Sequence, residues 1–264
     1  MKRTITILGC ASSGGVPRVG SGWGSCDPNN PKNRRRRCSV LLRQTSPAGE
    51  TVVVIDTSPD LREQLLDANV TALDGVVYTH DHADHTHGID DVRPIVLQNR
   101  KRIEAFCDEV TVAGLLKRFD YIFKTPDGSD YPPVLTERRI ETGIAFEVNG
   151  AGGAIILKPF RLEHGSIDAL GFRVGDMAYT PDVSDIPNES LKDLENLDLW
   201  IIDALRIKPH PAHFHLERSL EWIARMRPKQ AILTNLHTDL DYETLCNTLP
   251  AHIRPAWDGL TLTF

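Results

Sequence analysis

The segment YTHDHADHTHG, Tyr78 to Gly88, constrains this chain more than any other, because it holds four of its ten histidines. It continues an apolar run typical of a buried strand, so its side chains fall where an α/β sheet usually presents its chemistry. In the spacing H-x-H-x-D-H, two imidazoles two residues apart can converge on one cation, while the adjacent Asp-His pair points toward a second. The spacing therefore predicts a site for two metal ions, with ligands at His80, His82, Asp84 and His85.

Composition excludes several classes of protein. The 264 residues are 41% hydrophobic and 25% charged, which is ordinary for a globular protein, so we expect one domain spanning 1–264. No apolar run approaches the roughly 18 residues of a membrane span, and the start MKRTITIL lacks a signal-peptide core of about 7 to 15 apolar residues. The five cysteines form no C-x-x-C pair, so neither a disulfide framework nor a zinc ribbon is indicated. We expect a cytoplasmic protein with no membrane partner.

Charge is distributed unevenly along the chain. The net charge of −6 argues against bulk binding to nucleic acid. Residues 1–50, however, hold nine Lys and Arg against two Asp and Glu, so this segment should attract an anionic ligand. We expect a small anion as the partner, and a homodimer remains open.

Strand-like and helix-like stretches alternate in both halves of the sequence. Helical spacing of apolar residues predicts helices over 59–70, 109–123, 215–226 and 241–250, and most of the apolar runs between them read as strands. Hairpin-like runs precede the strand and helix pairs in each half. The fold class expected is α/β, a four-layer αββα sandwich of two mixed β-sheets with helices on the outer faces.

The histidine motif and this order of elements resemble the metallo-β-lactamase-fold hydrolases, over essentially the whole chain. The resemblance implies three further ligands at strand ends. His164, ending KPFRLEHG, would complete a three-histidine site with His80 and His82, and Asp182, ending MAYTPDV, would bridge both metals. His237, in AILTNLH, would join Asp84 and His85, although Asn235 stands where many relatives carry a histidine and is the alternative.

Three further segments narrow the resemblance. LGCASSGGVPRVG, NRRRRCSV and HPAHFHLERSLEWI are similar to the phosphoribosyl 1,2-cyclic phosphate phosphodiesterases of carbon-phosphorus lyase pathways. That branch implies a histidine acting near the leaving oxygen, at the position of His213, with His210 and His215 as alternatives that would contact substrate. Arg35 and Arg37 alternate on an extended segment and share a face, so their guanidinium groups could bind phosphate.

The resemblance implies a dinuclear metal-dependent phosphodiesterase that opens a small cyclic or nucleotide-like phosphodiester with a hydroxide bridging the metals. His213, Asp84 and Asp182 are the expected catalytic residues. Zn²⁺ is expected at the three-histidine site, and Zn²⁺, Mn²⁺ or Fe at the Asp/His site. A glyoxalase II-like thioester or lactone hydrolase and a non-catalytic metal- or ligand-binding relative are the alternatives.

Overall fold

Fourteen strands form two seven-stranded sheets in the computed structural model, which describes all residues, Met1–Phe264. The first sheet contains β1 (Lys2–Gly9), β2 (Ser39–Ser46), β3 (Gly49–Ile55), β4 (Gly75–Val77), β5 (Ile103–Cys107), β6 (Leu135–Arg139) and β14 (Thr261–Thr263). The second contains β7 (Phe146–Val148), β8 (Ile155–His164), β9 (Ile167–Val174), β10 (Met177–Thr180), β11 (Leu199–Asp203), β12 (Gln230–Thr234) and β13 (Ile253–Pro255).

The two sheets share one pairing pattern. The first has the order β14-β1-β2-β3-β4-β5-β6, with antiparallel pairs as far as β3 and parallel pairs from β3 to β6. The second has the order β13-β12-β11-β10-β9-β8-β7, antiparallel from β7 to β10 and parallel from β10 to β13. Each sheet is therefore mixed, as the sequence predicts.

The structure has six helices, of which all but α2 cover the outer faces: α1 (Leu61–Asp67), α2 (Ala83–Thr86), α3 (Arg93–Asn99), α4 (Glu109–Phe123), α5 (Leu216–Met226) and α6 (Tyr242–Thr248). The predicted helix 109–123 has the observed bounds, and α3 was not predicted. The prediction for 59–70 was too long because Asn69 turns into the left-handed region at φ 51°. None of these helices is both long and apolar enough to cross a bilayer.

Three apolar clusters define the four layers. A cluster of 23 buried residues, including Ile7, Val53 and Ile201, lies between the inner faces of the sheets. Leu65 of α1 and Leu115 of α4 belong to a second cluster on the outer face of the first sheet. Trp222 of α5 and Leu245 of α6 belong to a third, on the outer face of the second sheet. The predicted αββα sandwich is confirmed, because each helix buries one stripe and each sheet both faces.

A long loop between β1 and β2 is held against the turn after β12. Leu236 donates its backbone N–H to the Cys10 carbonyl at 2.7 Å, and Ser25 donates to the Thr238 carbonyl at 2.8 Å. A side chain at Gly24 would clash with Thr238, since its Cβ would lie 2.6 Å from the Thr238 carbonyl oxygen. The loop is therefore placed firmly beside the strand ends of the second sheet.

Candidate metal centre and cleft

Three histidines from two sheets converge at one point. His80 and His82 follow β4, and His164 ends β8. Their candidate ligand nitrogens lie within 4.8 Å of one another, and His164 Nε2 is 3.2 Å from His82 Nδ1. The structure therefore brings the predicted three-histidine set together, although its members are far apart in sequence.

Asp182 lies between this set and a second group of ligands. Its Oδ1 is 3.3 Å from His85 Nε2, whereas its Oδ2 is 3.6 Å from His164 Nε2 and 3.9 Å from His80 Nε2. Asp84 Oδ2 is 3.5 Å from His85 Nε2. One carboxylate oxygen thus faces each group, the arrangement expected of a bridging ligand. We call His80, His82, Asp84, His85, His164 and Asp182 the ligand cluster.

Neighbouring groups orient three of the imidazoles through their other ring nitrogens. His85 Nδ1 donates to Asp56 Oδ2 at 2.7 Å, His80 Nδ1 donates to the Thr79 hydroxyl at 3.0 Å, and His164 Nδ1 donates to the Ala212 carbonyl at 2.7 Å. Each Nε2 lone pair is therefore directed at the centre, as metal-binding histidines require. Burial, followed by the neighbouring His85, lowers the pKa of His80 well below its ordinary value and keeps this ligand neutral.

Sequence reasoning missed Asp56, which follows β3 directly. Its backbone lies in the left-handed region at φ 65°, a conformation that costs free energy for most residues but that Asp tolerates. Its carboxylate also accepts hydrogen bonds from the backbone N–H and hydroxyl of Thr79. The available signal was an acidic residue at the end of the apolar run VVVI.

Divalent metal binding fits this cluster. The Nε2 atoms of His80 and His85 are buried and have no hydrogen-bond partner within the protein, and an unsatisfied buried polar atom costs roughly 1–3 kcal/mol. A cation between the imidazoles and Asp182 would satisfy both atoms and neutralise the buried carboxylate. Imidazole and carboxylate ligands suit Zn²⁺, Mn²⁺ or Fe.

His213 lies at the edge of the ligand cluster. Its Nδ1 donates to Asp203 Oδ2 at 2.9 Å, and its ring centroid is 4.6 Å from that of His164. Burial opposes charge on the imidazole, but the Asp203 carboxylate outweighs it and raises the pKa of His213 to about 9. Asp203, also missed from the sequence, ends β11 and is fully buried. The His213–Asp203 pair can therefore hold a proton beside the metal ligands.

The structure corrects the position predicted for His237. β12 ends at Thr234, and Asn235 then adopts φ 62°, which turns the chain. The Asn235 amide consequently points inward, 3.1 Å from Asp203 Oδ1 and 3.5 Å from Asp182 Oδ1. His237 lies outside the groups of converging ligand atoms, and its Nε2 instead accepts a hydrogen bond from Arg18 Nη1 at 2.5 Å.

The structure also corrects the substrate-binding roles predicted for Arg35 and Arg37. The Arg35 guanidinium is buried and donates to the Leu240 carbonyl and to Asn33. Arg37 pairs with Asp60, with Nε 2.6 Å from Oδ2. Both side chains therefore stabilise the long loop, and neither lines the cleft described next.

A cleft of about 360 Å³ opens beside the ligand cluster, and two of its fourteen lining residues are hydrophobic. His210 lines it, with its ring centroid 5.1 Å from that of His213, whereas His215 precedes α5 and does not. Four further polar residues also line the cleft. We call this set the outer rim: Ser12, Arg18, Arg206 and His237.

Comparison with known proteins identifies the fold family. A family described as "Beta-lactamase superfamily domain" matches residues 51–235, which include most of β3, all of β4 to β6 of the first sheet, β7 to β12 of the second and every member of the ligand cluster. The chain belongs to the β-lactamase superfamily. The family resemblance predicted from the histidine motif is confirmed.

Two solved structures are similar to this chain over nearly its whole length. A protein described as a new diphosphatase from the PhnP family is 36% identical, with a TM-score of 0.89 over 100% of this chain and 98% of that one. Zn²⁺-bound PqqB from Methylobacterium extorquens shares the fold at 17% identity and a TM-score of 0.75, over 98% of this chain and 99% of that one. The chain thus has the fold of metal-dependent hydrolases.

A curated relative is longer than this chain. An octanoyltransferase of Porphyromonas gingivalis is 32% identical over 259 residues, which is 96% of this chain but 50% of that protein. The chain therefore spans about half the length of the curated relative that it matches.

Proposed function

We propose that this protein is a metal-dependent phosphodiesterase that cleaves a small anionic substrate, with His213 donating a proton to the leaving oxygen. The observation that carries the proposal is the His213–Asp203 pair, in which the buried Asp203 orients an imidazole that stands beside the ligand cluster and lines a polar cleft. The 36% identical relative described as a diphosphatase supports phosphorus as the centre attacked.

The ligand cluster would hold two divalent ions. His80, His82 and His164 would hold one, Asp84 and His85 the other, and Asp182 would lie between them. When bound, such ions supply Lewis acidity that polarises a phosphoryl oxygen and neutralises developing charge. Asn235 leaves the second site with fewer ionisable ligands than the first. We therefore expect the first site to bind its ion more tightly.

His213 is suited to act as a general acid. Asp203 accepts from Nδ1, which fixes the tautomer and leaves Nε2 free to face the cleft. With a pKa of about 9 the ring is protonated near neutral pH. A departing alkoxide requires a proton, and a positioned acid of this kind contributes about 10²- to 10⁴-fold to the rate.

The relatives suggest two other scissile bonds. The name diphosphatase makes the phosphoric anhydride of a diphosphate a second candidate, attacked by the same groups. The name octanoyltransferase and the glyoxalase II alternative would favour an acyl thioester. The polar cleft argues against an octanoyl chain, since an apolar chain is stabilised by apolar walls.

The deciding experiment is a leaving-group series. Wild type and His213→Ala are loaded with Mn²⁺ or Zn²⁺ and assayed on methyl aryl phosphates, from p-nitrophenyl to unsubstituted phenyl esters. We expect the variant to lose roughly 10²-fold or more with the phenyl ester and much less with the p-nitrophenyl ester, because p-nitrophenolate departs without a proton.

Two controls make the result specific. His252→Ala removes a histidine from the loop between α6 and β13 and should match wild type on every ester. An octanoyl thioester is assayed in parallel. Equal losses across the series would refute the acid role of His213, and turnover of the thioester without turnover of any phosphate ester would overturn the phosphodiesterase assignment.

A further inference from the structure

We propose that Arg118, on helix α4, is a positioning residue for the metal site formed by His80, His82 and His164. Its guanidinium holds Asp81, the residue between the first two histidines, and thereby sets the directions in which their imidazoles point. The inference rests on the part of the proposed function that places an ion among these three histidines, and it does not depend on which bond the protein cleaves.

His82 is the imidazole of the ligand cluster that no neighbouring group orients. The rings of His80, His85 and His164 are each held through a second nitrogen by a hydroxyl, a carboxylate or a backbone carbonyl. The ring of His82 has one polar partner, His164 Nε2, which belongs to the same metal site, and the residue is exposed. The placement of this imidazole therefore depends on the backbone that carries it.

Arg118 fixes that backbone directly before His82. Its Nη2 donates to the Asp81 carbonyl at 2.7 Å and to Asp81 Oδ2 at 2.8 Å. Its Nε donates to the Gly114 carbonyl, one helical turn earlier, at 3.1 Å, which anchors the guanidinium to α4. Because α4 buries Leu115 on the outer face of the first sheet, the hydrogen bonds to Asp81 come from a fixed part of the fold.

Gly114 allows the helix to approach Asp81 this closely. A Cβ at position 114 would lie 2.3 Å from Asp81 Oδ2, so any larger residue would displace the carboxylate from Arg118. Glycine is unfavourable in a helix interior, yet Gly114 lies well inside α4. The glycine and the arginine therefore act together on one carboxylate.

Charge alone predicts the opposite effect of Arg118 on metal binding. A guanidinium close to the site repels a metal cation and neutralises Asp81, so its removal should raise the affinity for the ion by Coulomb's law. A positioning role predicts a lower affinity instead, because removing a group that orients metal ligands typically weakens binding by about 10- to 100-fold. The sign of the change distinguishes the two explanations.

The test is a titration of metal-free protein with Zn²⁺ in competition with a chromophoric chelator, which yields one dissociation constant for each site. The constant that His82→Ala abolishes or raises most belongs to the three-histidine site. In Arg118→Ala we expect that constant to rise about tenfold or more, while the constant of the Asp/His site stays near its wild-type value. Arg118→Lys should give an intermediate value, because one ammonium group replaces the planar fork.

Two further variants make the result specific. Lys117→Ala removes an equal charge from the adjacent, exposed position of α4 and should bind Zn²⁺ as wild type does. Gly114→Ala should weaken the three-histidine site although alanine favours the helix, because its Cβ displaces the Asp81 carboxylate. Arg118 and Asp81 are each 33% exposed, and such ion pairs contribute little to stability. Urea denaturation of the metal-free proteins should therefore give similar free energies of unfolding for Arg118→Ala and Lys117→Ala.

Each other outcome has a defined meaning. An unchanged or smaller dissociation constant in Arg118→Ala would overturn the positioning role, and equal weakening of both sites would also overturn it, since the loss would then be a general one. If His82→Ala kept both constants, the three-histidine site itself would be refuted together with this inference. A site-selective loss in Arg118→Ala, in a protein whose wild type hydrolyses no phosphate ester, would retain the positioning role and refute the phosphodiesterase activity.

Discussion

The ligand cluster and the outer rim both contribute to the lining of one cleft but are built in different ways. Within the ligand cluster, His80, His82 and Asp182 lie in turns after strands, His164 ends β8, and Asp84 and His85 lie in the short helix α2. Most of these side chains are buried. Three of the four rim residues are half-exposed, and Ser12 and Arg18 come from a loop. The imidazoles of the cluster are oriented by hydrogen bonds to a carboxylate, a hydroxyl and a backbone carbonyl, whereas the long loop of the rim is held against the turn after β12.

This difference suggests that the chemistry and the choice of substrate depend on different parts of the cleft. Strand ends within packed sheets hold donors rigidly, which suits ions that tolerate little misplacement. The sequence of a surface loop can change without disturbing the sheets, which suits residues that distinguish one substrate from another. We therefore expect chemistry to depend on the ligand cluster and substrate choice on the outer rim.

Removing the carboxylate shared by both halves of the ligand cluster should have the largest effect. Asp182→Ala is expected to lower metal content and to reduce kcat/KM by about 10³-fold or more, since it disables a unit that acts together. Mass spectrometry of the purified protein and diester turnover check this. Asp176→Ala, at an exposed turn, should behave as wild type, and a fully active Asp182→Ala would remove the ligand cluster from the chemistry.

Asp203→Asn tests whether the Asp203 carboxylate contributes to catalysis by holding His213 in its protonated, oriented state. Without the carboxylate, the pKa of His213 should fall and its tautomer should no longer be fixed. We expect kcat on a phenyl ester to drop roughly 10²-fold, with metal content unchanged. The pH profile supplies the specific readout, because the basic limb assigned to His213 should move to lower pH. A drop in rate without that movement would mean that Asp203 is only structural.

Asn235→His tests the asymmetry within the ligand cluster. The Asn235 amide nitrogen is 3.5 Å from Asp182 Oδ1, so an imidazole at this position could reach the second ion. We expect the affinity for that ion to rise roughly tenfold, because imidazole is a better ligand than a carboxamide. Competition with a chelator measures it, with Asn235→Ala as the control. Equal affinity in both variants would show that position 235 does not face the ion.

Asp241→Ala should have the smallest effect, a loss of stability. Asp241 joins α6 to the long loop that carries Ser12 and Arg18 of the rim. Asp241 caps α6 by accepting from Thr244 N at 2.9 Å, and it also accepts from Asp27 N and Asn33 Nδ2. We expect a loss of about 1 kcal/mol in the free energy of unfolding, measured by urea denaturation. Asp198→Ala, at an exposed carboxylate directly before β11, is the control.

The pH dependence of that loss has a defined sign. Burial alone would raise the pKa of Asp241, but hydrogen bonds from Thr244, Asp27 and Asn33 lower it to about 2. The stabilisation is therefore complete above the unfolded pKa of about 4 and disappears as the pH falls toward 2. Wild type and variant should converge in that window, and a constant difference down to pH 2 would contradict the assignment.

The sequence by itself determined the fold and most of the ligand cluster. H-x-H-x-D-H after an apolar strand, together with His164 and Asp182 at later strand ends, could be read directly because a strand end places a side chain at a known edge of a sheet. Helical spacing of apolar residues likewise predicted the helix 109–123, and the order of apolar runs and helices predicted the two sheets. These features depend on local spacing, which the sequence displays.

Only the tertiary structure decided the remainder of the cleft. The left-handed turn at Asn235 sends its amide inward and His237 outward, and a single backbone dihedral angle of this kind leaves no periodic trace in the sequence. Arg18 rather than Arg35 or Arg37 reaches the cleft because of how the long loop packs on the turn after β12. Asp56 and Asp203 can be recognised as residues that orient the histidines only in the folded structure, where they accept hydrogen bonds from His85 and His213. Such contacts join residues far apart in the chain, and spacing cannot show them.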